Sequence, residues 1–279
     1  MSSSDHIESI EALVRRVDYD RYLATVLAPP DSRAHLFALY AFNFEVAKIA
    51  ENVSQPVMGQ IRLQWWRDAI EEIYAGAERR HEVVQALAAA IGARDLPRSL
   101  FDALIDARES DLDEAPFADW ASLQSYADAT SGNLMRLAAR ILGAGAGLDD
   151  VAREAGIGYA LVGLLRALPF HAAQRRLMLP AEAMRAGSLS QEQIFSGMMD
   201  AKVTSLFALA AMRVRENLRA AQKFRVPRAH LPALLVVALS PLYLKRMTRP
   251  GFDPFRDATD IAVHRRQLAM LAAMLRRRV

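Results

Sequence analysis

The residues that could do chemistry exclude more than they offer. The 279-residue chain has no cysteine, which removes disulfides, thiolate metal sites, iron–sulfur ligation and thiol nucleophiles together. Its six histidines, His6, His35, His81, His171, His230 and His264, never fall three or four apart, so no helix presents a two-histidine metal face. Phe195-Ser196-Gly197 lacks the flanking glycines and strand-to-helix setting of a serine nucleophile. Asp102 and Asp106 are four apart, with Glu109 a turn later. On a helix they share a face, and such a stripe can hold hydrated magnesium, a cation that wants oxygen donors. With Arg108, Asp111 and Asp113 close behind, a solvated acidic face is the preferred reading. Arg62, Trp65, Trp66 and Arg67 could stack bases, but one inward and one shoulder tryptophan is the usual pattern of a core helix. No nucleic-acid-binding module accompanies them, so nucleic acid is not an expected partner.

The elements that must position these groups are helical. Apolar residues recur at helical spacing nearly everywhere, and no strand alternation, phosphate loop or fixed-period repeat is present. After Pro29-Pro30, Asp31 is the expected N-cap of a long apolar helix through Ile49, and Pro56 separates it from the next. Further helices are expected around 81–92, 97–112, 119–143, 149–168, 190–223, 228–247 and 257–277, with turn-forming stretches between them. Hydrophobic residues make up 52% of the chain and no linker divides it. The expectation is an all-α fold, a single domain over 1–279, as a bundle of about ten helices.

Charge is unevenly distributed. The formal net charge is +3, yet residues 211–279 hold 15 Lys and Arg against 4 Asp and Glu, while residues 1–210 hold 20 against 28. The basic end should favour an anionic surface. The longest uncharged run, Ala229 to Leu244, has 16 residues and two prolines, short of the ~20 a spanning helix needs. It could be a buried helix or a shallow anchor. The N-terminus has no apolar core for a signal peptide and carries early acidic residues, so a cytoplasmic protein is expected.

Three stretches in order resemble the squalene/phytoene synthase superfamily: LAPPDSRAHLFALYAF (27–42), LIDARESDLDE with LQSYADATSGNL (104–134), and GYALVGLLRALPFHAAQRRLMLP (158–180). The resemblance implies an isoprenoid-synthase-like helical bundle. Active members join prenyl diphosphates with magnesium held between two aspartate-rich helices. Ionising an allylic diphosphate needs clustered cations, and several carboxylates must hold them.

Aligned on that family, this chain departs at both motifs. The DDxxD region falls on Ala47, Lys48 and Glu51, and NxxRDxxxD reads as Gly163, Arg166, Ala167 and His171. Pro169 also interrupts the second helix, and the early serine-rich motif appears as Asp20-Arg21-Tyr22. Tyr126, Gly132 and Asp111 match the family. AFNFEVAKI, IRLQWWRDAIEEIY and LRALPFHAAQRRLMLP are similar to a non-catalytic branch typified by a mitochondrial assembly factor of respiratory complex I.

The resemblance therefore implies a protein with neither catalytic residues nor metal ligands, no cofactor, and a respiratory-complex subunit or assembly intermediate as partner. The alternatives are a magnesium-dependent condensing transferase and a non-catalytic isoprenoid- or lipid-binding protein. Asn43, Glu45, Lys48, Glu51, Tyr126, Arg166 and His171 are the candidates for a degenerate pocket. Within it, Glu51 or Glu45 is expected to pair with Lys48 or Arg166. Because members of the superfamily work beside bilayers, Arg213, Arg219, Lys223, Arg225, Lys245, Arg246, Arg276, Arg277 and Arg278 are expected to face an anionic membrane, on the inner side of the cytoplasmic membrane.

Overall fold

The computed structural model describes residues 3–77, 79–113 and 115–278, with side-chain surroundings from Glu8 onward. The described residues hold fifteen α-helices, with 3₁₀ segments and irregular connections between them, and contain no strand. The first half runs through α1 (Ser3–Val17), α2 (Tyr19–Val26), α3 (Pro30–Ala47), α4 (Pro56–Tyr74), α5 (Glu82–Arg94), α6 (Arg98–Ala107) and α7 (Trp120–Ala127). The second continues through α8 (Asn133–Ile141), α9 (Asp149–Arg166), α10 (Leu168–Ala173), α11 (Ala181–Ala186), α12 (Gln191–Phe195), α13 (Ala201–Ala221), α14 (Ser240–Met247) and α15 (Val263–Arg276).

The centre of the bundle is α3. Every residue from Leu36 to Phe42 is buried, because α1, α2, α5 and α8 surround this helix. A helix apolar on all sides has no solvent face to offer. Pro30 occupies its first turn, where a missing N–H costs nothing. Asp31 therefore lies inside the helix rather than capping it, as the sequence led us to expect.

A second close pairing joins α9 to α13 and to a π-type turn at Asp128–Gly132 between α7 and α8. Its requirement is a lack of side chains. A Cβ at Gly156 would lie 2.5 Å from the Cα of Gly132, backbone that cannot yield.

Several expected helices are broken into shorter ones. The stretch from 228 to 239 forms 3₁₀ turns instead of a helix, and Pro232 removes a backbone donor inside it. Leu231, Leu234, Leu235, Val236, Val237 and Leu239 are all buried. This corrects the anchor alternative for 229–244: the run is uncharged because it fills the core. Among the described residues, no helix is long and apolar enough to cross a membrane.

Candidate functional site

The bundle holds two polar clusters, one at the end of α3 and one in the interior. At the mouth, α3 ends at Ala47 with Lys48 as its C-cap, and the chain turns through Ala50–Asn52. That turn brings Glu51 back beneath Lys48, and the ammonium group donates a hydrogen bond to the Glu51 carboxylate. The same ammonium lies 5.8 Å from the ring centroid of Phe170 on α10. The two stretches aligned with the metal motifs thus face each other. His171, next in chain, is half-buried. Burial and the neighbouring Arg176 hold its pKa below the ordinary histidine value, against the pull of Asp111 and Glu51, so at neutral pH it is uncharged.

Glu45 does not join this pair. It turns toward His81 at the start of α5, with 3.6 Å between Oε2 and Nε2. There it lines a cleft of about 370 Å³ with Lys48, Asn52, Arg62, Trp65 and Trp66. Burial, reinforced by Glu82, pushes the Glu45 carboxyl up to about 7. Burial lowers His81 in turn, though Glu82 opposes it. Both shifts run against an ion pair, so near neutrality the carboxyl is only partly ionised and the imidazole charge is disfavoured.

Arg166 takes no part in the expected pairing, which Lys48 and Glu51 supply. The last turn of α9 packs on α14, and the Arg166 guanidinium lies 3.8 Å from the ring centroid of Tyr243. Stacking on an aromatic face satisfies it without a carboxylate. Its Nε and the Nδ1 of His171 are buried with no hydrogen-bond partner among the described residues. Asn43 is half-buried on α3.

Tyr126 belongs to a neighbouring network. Its hydroxyl donates to Asp111 Oδ1 at 2.7 Å and accepts from Arg108 Nη1 at 2.8 Å. Arg176 donates to the Asp111 carbonyl. Asp111 and Arg176 of this network line a cleft of about 590 Å³ together with Ala50, residues 53–56, Gln174 and Arg175.

Sequence reasoning weighed Asp20-Arg21-Tyr22 as a missing serine motif and overlooked what those residues build. Asp20 is buried at the centre. It accepts from the Tyr243 hydroxyl at 2.7 Å and from Arg266 Nη1 at 2.8 Å, which ties α2 to α14 and α15. Arg21 bonds Asp18 and lies 5.5 Å and 5.2 Å from the ring centroids of Tyr40 and Tyr159. Burial disfavours the Arg21 charge, but Asp18 and the two phenols more than offset that, and its pKa stands above the ordinary arginine value. Burial pushes Tyr40 up to about 12. The available signal was an Asp-Tyr-Asp-Arg string between two apolar stretches.

Magnesium does not suit these residues. At the first stretch the single carboxylate, Glu51, already holds an ammonium group, and at the second the polar side chains are Arg166 and His171. Magnesium needs several oxygen donors, and the nearby Asp111 is committed to Tyr126 and Arg108. Among the described residues, no three His, Asp or Glu side chains gather closely enough to hold a metal ion. The Asp102/Asp106/Glu109 stripe is neutralised instead. Arg67 bridges Asp106 and Glu109, and Arg98 bonds Asp102 at 3.2 Å.

The basic candidates scatter over the C-terminal third. Arg213 pairs with Glu216 at 3.5 Å, and Arg246 is half-buried, donating to the Ala258 carbonyl at 2.7 Å. Arg219 and Lys245, with Arg215, line a cleft of about 340 Å³ between α13 and α14. Lys223, Arg225, Arg276, Arg277 and Arg278 are exposed.

Comparison with known proteins places this architecture. NADH dehydrogenase (ubiquinone) complex I, assembly factor 6 of Bos taurus is 32% identical over 249 residues, covering 88% of this chain and 75% of that protein. Presqualene diphosphate synthase of Rhodopseudomonas palustris is 30% identical over 207 residues, covering 72% of each. The crystal structure of a dehydrosqualene synthase in complex with ligand superposes with a TM-score of 0.85 at 14% identity, over 98% of this chain and 96% of that one, which speaks to the fold. The family model for squalene/phytoene synthase matches residues 14–269. With that span, and with relatives of this identity on both an assembly and a synthase side, the chain belongs to the squalene/phytoene synthase family.

Proposed function

We propose that this protein is a non-catalytic member of its family, with no magnesium requirement, and that it acts in the assembly of respiratory complex I. The observation that carries the non-catalytic reading is the Lys48–Glu51 pair. A direct internal ion pair stands where metal-bridged carboxylates would have to be, opposite a helix end that offers Arg166 and a neutral His171. The assembly role rests on the 32% identity to assembly factor 6 across most of the chain. The partner is then a subunit or assembly intermediate of NADH:ubiquinone oxidoreductase.

Deleting the gene in its native host should lower NADH:ubiquinone oxidoreductase activity and leave incomplete complexes on native gels. Re-expression of the Glu51→Gln variant should restore both. Normal assembly in the deletion strain would sink the proposal.

A second reading, a head-to-head prenyl diphosphate transferase, draws on the identity to presqualene diphosphate synthase. It predicts magnesium-dependent pyrophosphate release from farnesyl diphosphate by the purified protein. Turnover of that kind would overturn the non-catalytic reading.

A further inference from the structure

We propose that α15 is a membrane-docking helix that lays an outward leucine stripe into an anionic lipid surface. Helix α15 turns Met270 and Ala273 to the core. On its other side Leu268, Leu271 and Leu275 are 63%, 45% and 82% exposed. Their spacing sets them on one face of the helix. Phe224, also exposed, extends the patch, because the next turn is tied to the helix end where the Val226 N–H donates to the Arg277 carbonyl at 3.3 Å. Single exposed apolar residues need no explanation; a continuous stripe does.

The surrounding charge identifies what covers it. No acidic residue occurs from 217 to 252 or from 261 to 279. Lys223, Arg225, Arg265, Arg276, Arg277 and Arg278 are all exposed around the stripe. Bare leucines on a helix with no acidic residue and several exposed cations match an interface of acyl chains under anionic headgroups. At 14 residues the helix is shorter than the ~20 needed to span, so it lies in the membrane plane. A rival apolar patch at the start of α4, Val57, Met58 and Ile61, lies in a segment of mixed charge with Glu51, Arg62, Arg67 and Asp68. The proposal is independent of the assembly role.

Because the chain has no cysteine, Leu271→Cys and Ile61→Cys each create a single site for an environment-sensitive fluorophore. Vesicles of phosphatidylcholine mixed with phosphatidylglycerol should blue-shift the probe at 271, and acyl-brominated lipids should quench it. Phosphatidylcholine alone should do so far less, and the probe at 61 should not respond. Combining Leu268→Ser, Leu271→Ser and Leu275→Ser should weaken vesicle binding about 100-fold or more. Replacing Arg276, Arg277 and Arg278 by Gln should cost about 100-fold at low salt and flatten the salt dependence. Both sets should still unfold in one cooperative thermal transition, since these side chains lie at the surface of the bundle. A silent probe at 271, a response at 61, or wild-type binding by the serine variant would overturn the proposal. So would a 271 probe that responds to polyglutamate and not to vesicles, which would assign the stripe to an acidic protein surface.

Discussion

The Lys48–Glu51 pair at the mouth and the Asp20 network in the interior use the same chemistry with opposite consequences. Lys48 and Glu51 are three residues apart, partly exposed, and settled by one local turn. Asp20, Tyr243 and Arg266 come from three distant parts of the chain and meet out of water. An exposed pair contributes roughly 0–1 kcal/mol, whereas removing one member of a buried pair strands the other. At the mouth the charges neutralise each other locally, and in the interior they tie distant helices together.

The sharpest way to break that contrast is Asp20→Ala. It leaves Arg266 and Tyr243 without their acceptor, and the expected loss is about 3–5 kcal/mol in urea unfolding. A loss below that of Glu51→Gln would erase the distinction. Tyr243→Phe removes one hydrogen bond to the same carboxylate while keeping the ring under Arg166, so about 1–2 kcal/mol should go.

Glu45 tests the ground between the two regions. Its folded-state pKa, near 7, lies above the ordinary value, so the folded state holds its proton longer than the unfolded chain. Stability from this group is present in full at low pH and is lost as pH rises through about 7. Glu45→Gln should therefore flatten the decline in urea midpoint between mildly acidic and mildly alkaline pH. An unchanged slope would contradict the assignment.

The smallest effect belongs to the mouth. Glu51→Gln should change stability by less than about 1 kcal/mol, and the difference should shrink further in high salt. The Asp20→Ala deficit, by contrast, should be nearly salt-independent.

Much of the fold was legible without coordinates. The apolar run from Leu36 to Phe42 marked a long apolar helix, and the turn-forming stretches marked most of the breaks. The Lys48 and Glu51 spacing already set those groups one helical turn apart. Helix-scale periodicity could not show that the first part of the uncharged run from Ala229, up to Leu239, folds as 3₁₀ turns in the core before α14 begins, because a buried turn and a buried helix are equally apolar. Nor could it place Glu45, whose neighbour His81 lies on another helix, or Arg166, whose partner is an aromatic face 77 residues away in the chain.

The sequence by itself determined the all-α class and the acidic front and basic back. Composition and spacing are local properties of the chain. Tertiary structure alone decided which charges became partners. Asp20 and Arg266 are 246 residues apart, and no local rule relates them. They meet because packing α2, α14 and α15 around one core puts a carboxylate, a phenol and a guanidinium where each is the others' nearest substitute for water.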